Sequence, residues 1–151
     1  MKPVALAVLG LLAAPAWAEG HLPTQGDPVA GEQQFARQCV ACHVIQNEAG
    51  EVLAGRNAKT GPNLYGLAGR VVGEVENFRY SDGFAALRER GETWDEAHFL
   101  AFVQAPTDWL REVLDDGRAR SKMAYQVRQE AQAYDIYAYI ASLGGPDGAT
   151  Q

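Results

Sequence analysis

Two cysteines are present in the chain, and both lie in one five-residue stretch, Cys39-Val40-Ala41-Cys42-His43. A disulfide across so short a span would close a tiny loop and add little as a staple. The C-x-x-C-H spacing reads instead as covalent attachment of a c-type haem. Two thiols three positions apart near a helix end can reach vinyl groups on adjacent pyrroles and form thioethers. The next residue then projects its imidazole under the ring towards the iron. Two rival chemistries use similar pairs. A thioredoxin-like redox pair expects a strand–helix α/β setting, which this sequence lacks. A structural zinc site wants four Cys or His ligands. The spare histidines, His21 and His98, fall in a leader and on a capped helix, with no second paired motif.

Iron held by one imidazole has a second axial position to fill. Apart from Met1, the one methionine is Met123, in Arg120-Ser121-Lys122-Met123-Ala124-Tyr125. A thioether is a soft donor that favours reduced iron and raises the reduction potential. Most methionines fill gaps in a core, but the polar flanks here make a core filler less natural. His98 is the competing ligand and reads as a solvated helix histidine. His43 and Met123 are therefore the candidate iron ligands.

The elements that must position these groups are helical. Asp27 followed by Pro28 is a helix start, with a capping carboxylate and proline at the first helical position. That helix runs through Val29, Phe35 and Ala36 towards Cys39. Residues 46–63 are rich in Gly, Asn, Lys and Thr and read as a long surface loop, of a length that has a job or wraps something. Ser81 to Arg90 forms a short helix closed by Gly91. Thr93-Trp94-Asp95-Glu96 reads as a capping box for a helix carrying Phe99, Leu100, Phe102 and Val103, which must stop before Pro106. Thr107 starts another short helix that ends at Asp115-Asp116-Gly117. Ala133, Ile136, Tyr137, Ile140 and Leu143 recur at helical spacing, with Gly144-Gly145-Pro146 as the stop. No strand pattern or internal repeat competes, so the expectation is all-α, with about five short helices and long loops around one large apolar ligand.

Lys2, the apolar run from Val4 to Ala14 and the small-x-small Ala16-Trp17-Ala18 have the form of an export signal cleaved after Ala18. The run is too short to span a bilayer. Cleavage removes Lys2 and makes the remainder one unit more negative than the −6 of the whole chain. An acidic exported domain is a poor candidate for nucleic acid. The expected organisation is a signal peptide over 1–18, a flexible leader over 19–26, one haem domain over 27–145 and a disordered tail over 146–151. The product is a periplasmic monomer without stable membrane insertion. Arg118, Arg120, Lys122 and Arg128 cluster around Met123, while acids dominate from Glu89 to Asp116. A basic rim of that kind would steer acidic partners despite the negative total.

From about residue 27 to 143 the sequence resembles the class I cytochromes c, and most of all the soluble bacterial cytochromes of the c-two type, relatives of mitochondrial cytochrome c. Gly31 and Phe35 match the N-terminal helix positions that cross the C-terminal helix at Tyr139. Glycine suits that crossing because the two backbones approach too closely for a side chain. Thr60-Gly61-Pro62-Asn63-Leu64-Tyr65-Gly66, with Gly69-Arg70, matches the loop after the haem motif. The resemblance implies that the Pro62 carbonyl accepts the Nδ1–H of His43 and orients it. It also implies that Arg70, Tyr80 (in Phe78-Arg79-Tyr80-Ser81) and Trp94 surround a buried haem propionate, which needs donors to be buried at tolerable cost.

Two departures stand out. Relatives carry a tyrosine facing the methionine ligand where this chain has Phe102, and an asparagine common near Phe84 is absent. Insertions between Val44 and Lys59, and between Val113 and Arg120, suit the larger bacterial members. The resemblance implies a single-haem electron carrier, no enzyme, with a cytochrome bc complex upstream and a photosynthetic reaction centre or terminal oxidase downstream. The alternative is a gas-binding or peroxidatic haem protein in which Met123 leaves the iron open, and Phe102 is the feature that points there.

Overall fold

In the computed structural model, which describes residues 24–144, Asp27 caps the first helix, α1 (Pro28–Gln38). Its carboxylate accepts the Val29 N–H at 2.9 Å, and proline at the first position loses nothing because that N–H would be unpaired anyway. The Asp27 N–H in turn donates to the Asp135 carboxylate at 2.9 Å. This ties the start of α1 to the C-terminal helix α5 (Glu130–Ser142).

α1 and α5 cross at Gly31. A Cβ there would overlap the Asp135 carbonyl and stand 2.8 Å from the Tyr139 Cβ, so only glycine lets the backbones meet. Phe35 closes the crossing with its ring 5.6 Å from that of Tyr139. Ala133, Ile136, Tyr137 and Ile140 of α5 are buried with it. Two residues assigned to the leader belong to this body. The Gln25 N–H donates to the Glu96 carboxylate at 2.9 Å, and Gly26 lies against the Tyr134 carbonyl. The proposed signal, residues 19–23 of the leader and the tail over 146–151 fall outside the described residues.

Among the described residues there are five helices and one two-stranded sheet. The sheet corrects the expectation of a plain loop over 46–63 with no strands. β1 (Val44–Gln46) pairs antiparallel with β2 (Val52–Gly55), Val44 opposite Gly55 and Ile45 opposite Ala54. The strands are three and four residues long, too short to show alternation, and an irregularity after Ile45 breaks the period further. The turn carries the signal instead. Asn47 Oδ1 accepts the Glu51 N–H at 2.9 Å, and Gly50 takes a left-handed φ of +83°.

α2 (Asp82–Glu89) follows Ser81 and closes at Gly91, whose φ is +70°. The capping box expected at Thr93 is displaced by two residues. α3 (Glu96–Gln104) is capped by Asp95, whose carboxylate accepts the His98 N–H at 2.7 Å. Thr93 is held in an antiparallel bridge with Val71, flanked by Val72 N–H to Glu92 O (2.7 Å) and Trp94 N–H to Arg70 O (2.9 Å). Extended backbone through Trp94 cannot begin a helix, so the next capable residue caps. α4 (Pro106–Leu114) starts one residue before Thr107, at the proline itself, with Ala105 ending α3 and opening α4. It ends at Asp115 in the left-handed region, φ +54°.

α3 packs on α5 through Phe99 and Tyr137, ring centroids 5.4 Å apart. On its other side Phe102 joins Phe84, Trp94 and Trp109 in one aromatic cluster, with Trp94 stacked on Trp109 at 5.5 Å and 17°. Each such ring buries a large apolar area and gains about 0.5–1.5 kcal/mol more from its ring contacts. Apart from the hairpin, the architecture is the expected one of five short helices joined by long loops. Among the described residues no helix is long and apolar enough to cross a membrane.

Candidate haem site

Cys39 caps the C-terminus of α1, its N–H bonded to the Phe35 carbonyl at 2.9 Å. The chain then turns back on itself. The N–H groups of Cys42 and His43 both donate to the Cys39 carbonyl, at 3.1 and 2.9 Å. That turn sets the two thiols and the imidazole on consecutive steps at the helix end. Both thiols are free. Burial, and then the neighbouring Cys42, push the Cys39 thiol up to about 12. Among the described residues no three His, Cys, Asp or Glu side chains converge as a metal cluster.

His43 is fixed from the opposite loop. Gly61 N–H donates to the Cys42 carbonyl at 2.7 Å and Leu64 N–H to Val44 O at 2.9 Å, laying residues 61–64 along β1. The Pro62 carbonyl then stands 2.9 Å from His43 Nδ1. With Nδ1–H donating there, Nε2 keeps the lone pair that a metal would take. Burial lowers the His43 pKa, and the bond to Pro62 opposes this only in part, so the neutral ligating form is favoured. Asn63 braces the loop: its Oδ1 accepts from Gln46 and Tyr65 N–H, each at 3.0 Å, and its Nδ2 donates to Gln46 O at 2.7 Å.

Arg70 and Tyr80 come together on the neighbouring side, and Trp94 meets Arg70 through its backbone. Arg70 donates to the Tyr65 carbonyl and, at 3.1 Å, to the Asn63 carbonyl. Its carbonyl takes the Trp94 N–H. Burial lowers the Arg70 pKa and raises that of Tyr80, and the Arg70 charge works against the Tyr80 shift. Arg70 Nε and the Ser81 hydroxyl are buried without a partner. Orphaned buried donors are costly. A guanidinium nitrogen and a hydroxyl beside a phenol suit an anionic oxygen, so the residues present fit a haem carboxylate. Ser81 follows Tyr80 directly, and that adjacency was its only signal in the sequence.

Met123 is half-buried against the core, in a loop pinned on several sides. Its N–H donates to Ser121 Oγ at 3.1 Å, Ser121 N–H to Thr107 Oγ1 at 3.3 Å, and Arg111 Nε to Ala119 O at 3.2 Å. Further on, Val127 N–H bonds the Val103 carbonyl of α3 at 2.8 Å. Tyr125 OH reaches Gln38, next to Cys39, at 3.1 Å, and Lys122 reaches the Tyr80 carbonyl at 3.0 Å. His98 lies on α3 with its side chain 32% exposed and makes local contacts as well. Its Nδ1 lies 3.1 Å from Thr93 O and 3.3 Å from the Glu92 carboxylate, with the ring edge-on to Trp109.

No family model matches the chain. It is 54% identical over 119 residues to the cytochrome c2 of Rhodovulum adriaticum, covering 79% of this chain and 94% of the relative. It is 45% identical over 123 residues to the cytochrome c2 of Cereibacter sphaeroides, covering 81% and 84%. The crystal structure of Rhodobacter sphaeroides cytochrome c2 superposes with a TM-score of 0.77 at 43% identity, over 80% of this chain and 98% of that one. The cytochrome c2 from Paracoccus denitrificans gives a TM-score of 0.73 at 38% identity, over 82% and 99%.

Proposed function

The chain belongs to the family of the bacterial cytochromes c2, and from that premise we propose that it is a periplasmic shuttle whose single haem is ligated by His43 and Met123. As a member of the family it binds haem c and is an electron carrier, not an enzyme. Cys39 and Cys42 supply the two thioethers. A haem held there would supply the chemistry of the carrier, a reversible one-electron change.

The protein's part is to keep the geometry constant across that change. The observation that carries the reading is the His43 Nδ1 to Pro62 carbonyl contact of 2.9 Å, which fixes the imidazole's tautomer and direction. The loop tethers on either side of Met123 do the same for the thioether. Arg70, Tyr80 and Trp94, with the Ser81 hydroxyl as a further donor, would hold a haem propionate. Two protein ligands kept in both oxidation states limit the reorganisation that would slow transfer.

Residues 1–18 direct export and are removed by cleavage after Ala18. Partners dock transiently: by family resemblance, a cytochrome bc complex upstream and a reaction centre or terminal oxidase downstream. Arg118, Arg120 and Lys122 share one cleft with Arg79 and Arg90, against Asp82 and Asp116. Arg128 lies on a separate cleft with Gln38 and Tyr125. That cationic face supports steering of acidic partners.

A gas-binding or peroxidatic role is the second reading, favoured by Phe102, which offers no hydroxyl to the methionine sulfur. Mixing the reduced protein with carbon monoxide separates the two. The shuttle leaves the spectrum unchanged, whereas rapid stoichiometric binding would mean an open iron.

A further inference from the structure

The Tyr80 phenol is held between two other rings. Phe78 meets it edge-on, with centroids 4.8 Å apart at 72°, and Phe84 stacks on it at 5.5 Å and 8°. Edge-on and offset-stacked contacts are the arrangements that aromatic pairs prefer. Together they restrict rotation of the phenol about its side-chain bonds. The main chain is tied down separately, because Lys122 Nζ donates to the Arg79 and Tyr80 carbonyls at 2.7 and 3.0 Å.

Phe84 differs from Phe78 in what stands behind it. It lies in the first turn of α2, is buried, and touches rings from three further parts of the chain. Trp94 is 6.2 Å away, Phe102 of α3 5.4 Å and Trp109 of α4 6.5 Å. Tyr80 and Trp94, the two aromatic residues assigned to the haem carboxylate, therefore pack on one shared ring. Relatives carry an asparagine near this place, and an amide offers no aromatic face to stack on. We propose that Phe84 is a positioning residue that holds the Tyr80 phenol and the Trp94 indole at a fixed spacing, so that both serve one haem carboxylate. The inference rests on the reading of Arg70, Tyr80 and Trp94 as the residues that hold a propionate.

The consequence is electrostatic. A carboxylate near the iron favours the ferric state, and donors that share its negative charge weaken that preference. A phenol free to turn away withdraws one donor, so the reduction potential falls.

The test is potentiometric titration of the holoprotein in a double-mutant cycle. Tyr80→Phe removes the donor and should shift the one-electron equilibrium about two- to fourfold towards ferric, a fall of about 20–35 mV. Phe84→Leu keeps the hydroxyl but removes the stacking face, and should give at least half of that fall. The double variant should match Tyr80→Phe alone, because a misplaced hydroxyl and a missing one are the same loss. Leu87→Ala, on the same helix and fully buried, opens a core cavity without removing a ring, and should keep the wild-type potential. If Phe84→Leu yields no holoprotein, Phe84→Met replaces it, an adaptable apolar chain without a flat face, with the same fall expected. A Phe84 variant at the wild-type potential, falls that add in the double variant, or an equal fall in Leu87→Ala would overturn the positioning role while leaving Tyr80 as a donor. Tyr80→Phe at the wild-type potential would overturn the propionate reading, and the inference with it.

Discussion

His43 Nδ1 and the carbonyl oxygen of Pro62 stand 2.9 Å apart, and the residue before that proline has no room for a side chain. A Cβ at Gly61 would stand 2.5 Å from Nδ1 and 2.7 Å from Nε2 of the same ring. The loop thus holds the imidazole in two ways, by a hydrogen bond on one nitrogen and by backbone packed against the ring face.

Gly61→Ala should therefore act on the ring directly. The methyl must displace the imidazole or the loop, at a cost of about 1–3 kcal/mol for overpacking. Denaturant unfolding of the holoprotein should show that loss with an unchanged m-value, together with a shifted reduction potential. A variant with wild-type stability and potential would show that the loop does not bear on the ring.

Gly31→Ala tests the helix crossing. Its methyl would overlap the Asp135 carbonyl, which belongs to backbone and has no rotamer to give. A loss of about 2–3 kcal/mol is expected, near the top of the overpacking range. Circular dichroism during chemical denaturation reads it, and a change below 0.5 kcal/mol would place the crossing elsewhere.

Arg70→Leu removes a buried positive charge from beside Tyr80 and two bonds to the Asn63 and Tyr65 carbonyls. Positive charge near the iron favours the reduced, less positive state. Its removal should lower the midpoint potential by about 30–60 mV, a three- to tenfold change in a one-electron equilibrium. Potentiometric titration measures it, and an unchanged potential would separate Arg70 from the haem.

Tyr137 predicts a pH dependence. Burial, and then Asp95 and Glu96, push its phenol up to about 12 from an ordinary 10. Between those values the unfolded chain has lost the proton and the folded one keeps it, so stability falls as pH rises. Its contribution is fully present below pH 10 and declines towards 12, by at most about 2–3 kcal/mol. The stability difference between wild type and Tyr137→Phe should shift by that amount across the window. A constant difference would mean that the phenol reaches solvent.

The haem motif and the helices were legible for physical reasons. Cys39, Cys42 and His43 are contiguous, so their chemistry is local. Asp27-Pro28 and the 3.6-residue period of α5 are likewise written in neighbouring residues. What failed depended on distant strands of chain. Thr93 has the letters of a cap, but its bridge to Val71 keeps it extended and passes the task to Asp95. The β1–β2 hairpin was hidden because strands of three and four residues have no period to detect. Lys122 reads as one more surface cation until Arg79 and Tyr80 fold up against it.

The central claim is that a thioether from Met123 completes the coordination begun by His43. Far-red absorption of the ferric holoprotein tests it most directly, because a weak band there marks iron bound to a methionine sulfur. The account predicts the band in the wild type and its complete loss in Met123→Ala, with rapid carbon monoxide binding by the reduced variant alone. A wild-type spectrum without the band, or a Met123→Ala spectrum that keeps it, would contradict the account.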